Sequence, residues 1–432
     1  MPQRKYNKEQ EQVTNVSKRV ILPISLQSYN EQSESSAQFR TMVDEMIELY
    51  PELFPAGIEA GYWLHDQLPI SKKLADVQVR RIKLKQADEQ GKQGVFSLVS
   101  SDVLPSMTGY TNDVEKALYL RRYGVPFSGL SYVFGRDDQY WYRLVSHFGR
   151  YEIVSTTVKV AEQLPSDLVA DEKHLHFNGE KAYLATTVGG DCVLGISLAL
   201  AADEAALTKA YGEFRQEVEQ FVPNYAPQTV NTDGWKATQS AWQTLFPTIV
   251  IIECFLHAFL RIRDRCQKKW QAFWPTLQDK VWDIYHSDDA PTFRRRSAAF
   301  WTWATTSLSG AALEAVEKLV SKTDSFVLAF EHPTAHRTSN MVDRHMDPLD
   351  RWLFHARYFH GDWRSAQRQS RSWALFHNFL PYCPRAQLAH QYSFSSPAHK
   401  LNGFVYHENW LHNLLVSTSV SGCNRHHRIQ QN

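Results

Sequence analysis

The chain has almost no net charge: 47 lysines and arginines against 46 aspartates and glutamates leave +1 over 432 residues. Nucleic-acid binders often carry a strong basic excess, so this balance neither supports nor excludes DNA, and local distribution must carry that question. Cysteine is scarce too. The five residues Cys192, Cys254, Cys266, Cys383 and Cys423 are scattered, odd in number and without a Cys-x-x-Cys pair. That argues against a disulfide framework and suits a reducing compartment. The longest apolar run, Thr248 to Leu260, is interrupted by Glu253 and His257 and is too short to span a bilayer. The N-terminus is polar, with no apolar core of a secretory signal, so a cytoplasmic location is expected. No Walker phosphate loop, dinucleotide fingerprint or internal repeat occurs, which sets aside P-loop enzymes, Rossmann enzymes and solenoids.

What is present describes a packed α/β protein. Hydrophobic residues make up 43% and charged residues 22%, and the length suits two or three domains. Residues 1–40 are Gln, Glu, Asn, Ser and Lys rich and read as a mobile tail with one strand at Val20–Leu22. A small module follows over 41–111, with a helical pattern at Phe39, Met42, Val43, Met46 and Ile47 and an alternating apolar and basic strand over Val77–Lys85. Over 112–162, three short helices are separated by glycine turns. Asn112 or Asp113 would cap the first, Gly124 and Gly135 would close the first two, and the third carries Arg143. This spacing is compatible with a helix-turn-helix DNA-binding region and equally with any small helical bundle.

From Ser166 the pattern becomes mixed. Strands are expected over 168–176, Lys181–Val188 and Cys192–Leu200, with the turn dipeptides Asn178-Gly179 and Gly189-Gly190 between them. A helix opening at Asp203-Glu204, a strand at Thr229–Thr232, a helix at Lys236–Leu245 and a strand at Thr248–Glu253 complete a mixed sheet with helices on its faces. Residues 258–324 are helical and aromatic-rich, an α-helical insertion. A long arginine-dense helix is expected from Ser339 to about Leu380, ended by Pro381 and Pro384, and residues 383–432 read as a weakly patterned tail.

Phosphodiester chemistry needs hard oxygen ligands for divalent ions, so the signature sought is a few carboxylates at strand or helix ends on one rim of the sheet. Asp171, within Ala170-Asp171-Glu172-Lys173-His174, follows an apolar run. Asp233, within Asn231-Thr232-Asp233-Gly234-Trp235, ends the fourth strand. If the first and fourth strands are neighbours, the two carboxylates meet. Asp343, within Ser339-Asn340-Met341-Val342-Asp343-Arg344, falls in the first turn of a helix capped by Ser339 or Asn340. Each acid alone reads more simply as a turn or cap residue, and Glu331, Asp347 and Asp350 compete for the third place. The joint order raises the catalytic reading.

On these residues, together with Cys254 and His257 in Cys-Phe-Leu-His, the stretch from about Val169 to Leu380 resembles the catalytic domain of DDE-type transposases. The similarity is to the Mutator-like and hAT-like group, and the overall type is that of bacterial insertion sequences. Asp343 stands where most members carry Glu. The resemblance implies an RNase H-like mixed sheet, split into 163–257 and 325–382 by the insertion, and two Mg²⁺ or Mn²⁺ ions held by Asp171, Asp233 and Asp343. It implies cleavage at transposon ends and strand transfer of the 3′-hydroxyl into target DNA. Cys254 and His257 would be structural, since a zinc site needs two more ligands and none has suitable spacing nearby. Arg344, Arg351, Arg357 and the other arginines up to Arg371 would contact phosphates, and synapsis of two terminal inverted repeats implies a dimer or larger assembly. The rival expectations are an RNase H-like nuclease without strand transfer and a domesticated DNA-binding protein with an unused triad.

Overall fold

A computed structural model describes residues 14–88, 91–104, 109–266, 274–391 and 393–424. The chain divides into two compact units, one built from the chain up to Gln163 and from Trp363 onward, the other from Leu164–Asp362.

The first unit opens with β1 (Thr14–Val16), β2 (Arg19–Leu22), α1 (Leu26–Ser33), α2 (Ser36–Leu49), β3 (Tyr62–Gln67), β4 (Arg80–Ala87) and β5 (Gln93–Ser100). The sheet order is β2-β5-β4-β3, with β2 parallel to β5 and the other pairs antiparallel. The alternating basic strand is therefore β4, but its cations are partly consumed by the fold. Arg80 is buried, donates from Nη2 to the Ser33 carbonyl at 2.5 Å and lies over the Phe39 ring at 5.0 Å. Arg81 pairs with Asp66.

Next come α3 (Thr111–Arg122), α4 (Phe127–Phe134), α5 (Asp138–Phe148) and α6 (Ile153–Thr157). Gly124 and Gly135 close α3 and α4 at φ of 90° and 71°, conformations that a Cβ disfavours. Asp137 caps α5 by accepting from the Tyr140 N–H. The cap expected of Asn112 or Asp113 is not made. Tyr110 holds the N-cap position, and Asn112 Oδ1 meets His412 Nε2 at 3.1 Å.

The second unit carries β6 (Asp167–Phe177), β7 (Glu180–Gly189), β8 (Cys192–Ala199), α7 (Glu204–Phe221), β9 (Thr229–Thr232), α8 (Lys236–Leu245) and β10 (Val250–Glu253). Its sheet order is β10-β9-β6-β7-β8. The hairpins β6–β7 and β7–β8 are antiparallel, while β6–β9 and β9–β10 are parallel. Asn178 and Gly179 form the first hairpin turn at φ of 53° and 86°, the type I′ geometry that Asn-Gly favours. The second turn sits at Gly190 and Asp191 (φ 58° and 65°), one residue beyond Gly189-Gly190. Leu207, Tyr211, Phe214 and Val218 of α7 and Trp242 of α8 are buried, with Tyr211 and Trp242 rings 5.2 Å apart. Each such side chain contributes roughly 1.5–3 kcal/mol.

The helical block is α9 (Phe255–Cys266), α10 (Trp274–Tyr285), α11 (Ala290–Ser307), α12 (Gly310–Val320) and α13 (Thr323–Val327), with a core of its own around Phe255, Phe259, Phe293, Phe300 and Phe326. After it comes α14 (Asn340–Phe354).

The single long helix expected from Ser339 to Leu380 is instead two. α14 ends at Phe354, and α15 (Trp363–Phe379) belongs to the first unit. Arg357, Tyr358 and Gly361 between them have φ of 50°, 73° and 90°, which no α-helix accommodates. Phe359 there bridges to Phe177 of β6. The supposed C-terminal tail forms α16 (Pro384–His390), α17 (Pro397–Asn402), α18 (Trp410–Ser417) and β11 (Gly422–Asn424), the last antiparallel to β1. Gly149 at the end of α5 allows α15 to approach: a Cβ there would lie 2.0 Å from the Arg368 carbonyl oxygen. Among the described residues, no helix is long and apolar enough to cross a membrane.

Candidate functional site

β6 and β9 are direct neighbours, and their register is Asp167 with Thr229, Leu168 with Val230 and Val169 with Asn231. The pairing ends at Val169 with Asn231; Asp171 lies two residues further along β6, and Asp233 two residues further along the chain, just past the end of β9. Side chains alternate along β6. Glu172 turns to the side of α7 and α8, where the Tyr211 and Thr238 hydroxyls each donate to its Oε1 at 2.7 Å. Asp167, Asp171 and Lys173 therefore share the opposite face. On that face Thr334 donates to Asp167 Oδ2 at 2.7 Å, and Lys173 Nζ pairs with Asp350 Oδ2 of α14 at 2.7 Å.

Local backbone bonds orient both acids. Asp233 Oδ1 accepts the Trp235 N–H at 2.8 Å, closing a turn in which Gly234 has φ of 85°. A Cβ on Gly234 would stand 2.8 Å from Lys322 Nζ and 2.9 Å from Glu253 Oε2. Asp171 Oδ1 accepts the Glu172 N–H at 2.8 Å. Burial pushes the Glu172 carboxyl up to about 7 against the hydrogen bonds from Thr238 and Tyr211, and the charges of Asp171 and Asp233 add to the rise. Both acids thus lie within electrostatic reach of one buried group.

Cys254 and His257 do not sit on a strand. Cys254 follows β10 and His257 lies in the first turn of α9. Their partner is Ser339 at the start of α14. The Ser339 N–H donates to Cys254 Sγ at 3.1 Å, and Ser339 Oγ stands 3.3 Å from that sulfur and 3.2 Å from His257 Nδ1. Ser339, one of the two residues that the sequence offers as a cap, does hold the N-cap position of α14, but its hydroxyl makes no helix-capping bond. Burial pushes the Cys254 thiol up, yet the hydrogen bonds from His257 and Ser339 outweigh burial and leave it below the usual thiol range. The Cys-x-x-His element therefore clips the start of α14 to the end of β10.

Asp343 falls in α14, with its side chain outside the described residues. Among its rivals, Asp350 is tied to Lys173, while Asp347 and Glu331 are exposed. Arg344 and Arg351 are exposed on α14 and Arg357 in the following loop; Arg143 is exposed on α5 of the other unit. Arg371 is not available to phosphates. It is buried in α15, donating to the carbonyls of Gly149 and Tyr151 at 3.2 and 2.8 Å.

Other residues of the site carry little signal in the sequence. Glu172 directly follows Asp171, and a carboxylate one residue along a strand from another faces the other side. Lys173 and Asp350, far apart in the chain, carried no signal of their pairing. Trp235, Tyr183 and His174 form an aromatic cluster beside Asp233, with His174 and Tyr183 rings 5.0 Å apart and Tyr183 and Trp235 rings 5.9 Å apart.

Chemically, carboxylates on a strand rim with no thiolate among them suit a hard divalent ion. No group of three or more His, Cys, Asp or Glu is arranged to hold a metal among the described residues. Scanned against protein-family models and curated proteins, the chain matches none.

Proposed function

We propose that this chain is a DNA transposase whose catalytic unit, residues 164–362, has an RNase H-like fold, with Asp171, Asp233 and Asp343 as ligands of two Mg²⁺ or Mn²⁺ ions. The observation that carries the reading is the parallel pairing of β6 and β9, which leaves Asp171 and Asp233 each two residues beyond the last paired position, Val169 with Asn231. The strand order β8-β7-β6-β9-β10, with α7 after the third strand and α8 after the fourth, supports it. So does the helical block lying between β10 and α14, where the transposase resemblance implies an insertion.

A hard divalent ion needs few protein ligands when substrate phosphate oxygens complete its shell, so two or three carboxylates suffice. Such a pair of ions supplies activation of the attacking oxygen and stabilisation of the leaving one. The protein's own part is positioning. The turn at Asp233 and the strand at Asp171 fix two carboxylates on one rim. The Cys254–Ser339–His257 contacts and the Lys173–Asp350 pair fix α14 at its start and two turns beyond residue 343. Exposed Arg344, Arg351 and Arg357 lie on or just after the same helix, suited to phosphates. The α3–α5 helices with Arg143 form the helix-turn-helix-like region that would bind element ends. Transposition requires two ends in one complex, so the active form is a dimer or larger, working in the cytoplasm on nucleoid DNA.

The test is Asp233→Asn assayed on DNA from the ends of the flanking element. Mg²⁺-dependent cleavage should be lost while DNA binding survives; unchanged cleavage refutes the mechanism. Cleavage by the wild type with no joining of the 3′-hydroxyl to target DNA would make the chain a nuclease of the same fold.

A further inference from the structure

Within the helical block, α9 and α12 enclose a cavity of about 230 Å³ that no part of the triad uses. Its floor is apolar, from residues such as Ala315 and Leu319, and its walls are four cations: Arg261 and Arg265 from α9, Lys318 and Lys322 from the α12 side. Arg261 and Arg265 stand four residues apart on one face of α9, Lys318 lies in the last turn of α12, and Lys322 lies just past its end, at the N-cap of α13. Four cations around one concavity raise its local positive potential, which favours an anion there.

Acids offset only part of this charge. Lys322 pairs with Glu253, and Arg265 Nη1 stands 3.9 Å from Glu314 Oε2 with both side chains largely exposed. Lys318 has no acidic partner among the described residues. The cavity also adjoins the proposed catalytic rim. Arg261 Nη2 approaches the Asp233 carbonyl at 3.4 Å, and Lys322 Nζ borders Gly234. The bland alternative, cations snorkelling from a helix surface into water, does not explain why all four converge on one concavity beside Asp233.

We propose that this cavity is a phosphate-backbone subsite: Arg261, Arg265, Lys318 and Lys322 hold backbone phosphates of the DNA strand next to the one that reaches Asp171 and Asp233. The assignment rests on the transposase reading and adds the path of the strand. The cations of α9 face those at the end of α12 across the concavity, so phosphates can be held from two sides while the apolar floor packs against a sugar.

The test uses the full chain carrying Arg265→Ala with Lys318→Ala, the two cations that touch neither Asp233 nor Glu253. Binding to element-end duplex and to a single-stranded oligonucleotide is measured by anisotropy across a salt series. The expected result is a plot of log affinity against log salt that is shallower by about 1.8 for duplex or about 1.4 for single strand, two cations' worth of counterion release. The swap Arg265→Lys with Lys318→Arg should restore the wild-type slope. An unchanged slope in the alanine variant overturns the subsite and leaves the catalytic reading intact if Asp233→Asn still abolishes cleavage. A shifted slope with no Mg²⁺-dependent cleavage by the wild type keeps the subsite and removes the catalysis. A wild type that binds neither DNA refutes both.

Discussion

Glu172→Gln should stabilise the protein at neutral and alkaline pH and leave it unchanged in acid. Glu172 is buried beside Asp171 and Asp233, and its carboxyl is raised from the ordinary 4.5 to about 7. Below pH 4.5 the group is neutral in both folded and unfolded chains. Between 4.5 and 7 the unfolded chain ionises it while the folded chain keeps its proton, so stability falls by about 1.4 kcal/mol per pH unit. Above pH 7 the loss is complete, at about 3 kcal/mol. Glutamine keeps an oxygen to accept from Tyr211 and Thr238, so both 2.7 Å bonds survive and only the titration disappears. The assay is urea unfolding followed by tryptophan fluorescence at pH 4.5, 6 and 8 in EDTA, which keeps divalent ions from neutralising the neighbouring acids. The two proteins should match at the lowest pH, with the variant gaining about 3 kcal/mol by the highest. Parallel curves would refute the reasoning, since they would mean that Glu172 ionises as freely folded as unfolded.

Ser339→Ala removes the hydroxyl that bridges Cys254 and His257 and should cost about 1–2 kcal/mol in urea unfolding; a loss below the error of the measurement would mean that the clip is ornamental. The same variant should lower Mg²⁺-dependent cleavage more than DNA binding, because the start of α14 loosens while the exposed arginines stay. Gly234→Ala forces φ of 85° on a residue with a Cβ that must also displace Lys322 or Glu253. It should destabilise by roughly 1–3 kcal/mol, read as a lower unfolding midpoint, and a neutral outcome would contradict the turn geometry.

Local patterns carried the strands and most helices. Thr229–Thr232 and Lys236–Leu245 are β9 and α8 to the residue, because a β-branched run between turn residues and an amphipathic stretch ending in large apolar side chains each admit one reading. Asn178-Gly179 marked its hairpin because two adjacent left-handed residues are costly for other pairs. What was not legible was long-range. The break after α14 is made by Arg357 and Tyr358 in left-handed conformations, which no propensity favours and which the bridge from Phe359 to Phe177 holds in place. Arg371 looked like one more exposed arginine because its acceptors are carbonyls more than 200 residues away in sequence. Ser339 stands at the N-cap of α14, yet its hydroxyl turns to Cys254 and His257, partners more than 80 residues away in sequence that no local pattern reveals.

The candidate site combines both kinds of information, and the third acid depends on the second kind. Strand parity puts Lys173 on the face of Asp171, and Lys173 is bound to Asp350. Residue 343 precedes Asp350 by two helical turns, about 10.5 Å along α14, on the same strip of that helix. Asp347 is exposed, and Glu331 precedes the helix altogether. The run of contacts from Thr334 with Asp167, through Ser339 with Cys254, to Asp350 with Lys173 carries this segment along β6 in the strand's own direction. Residue 343 therefore falls between an anchor at the end of β10 and an anchor two residues beyond Asp171. Pro348, inside α14, removes one backbone hydrogen bond between residue 343 and Asp350. An unconstrained helix would kink there, which makes the two anchors, rather than helix stiffness, the features that set how near position 343 lies to the β6–β9 rim.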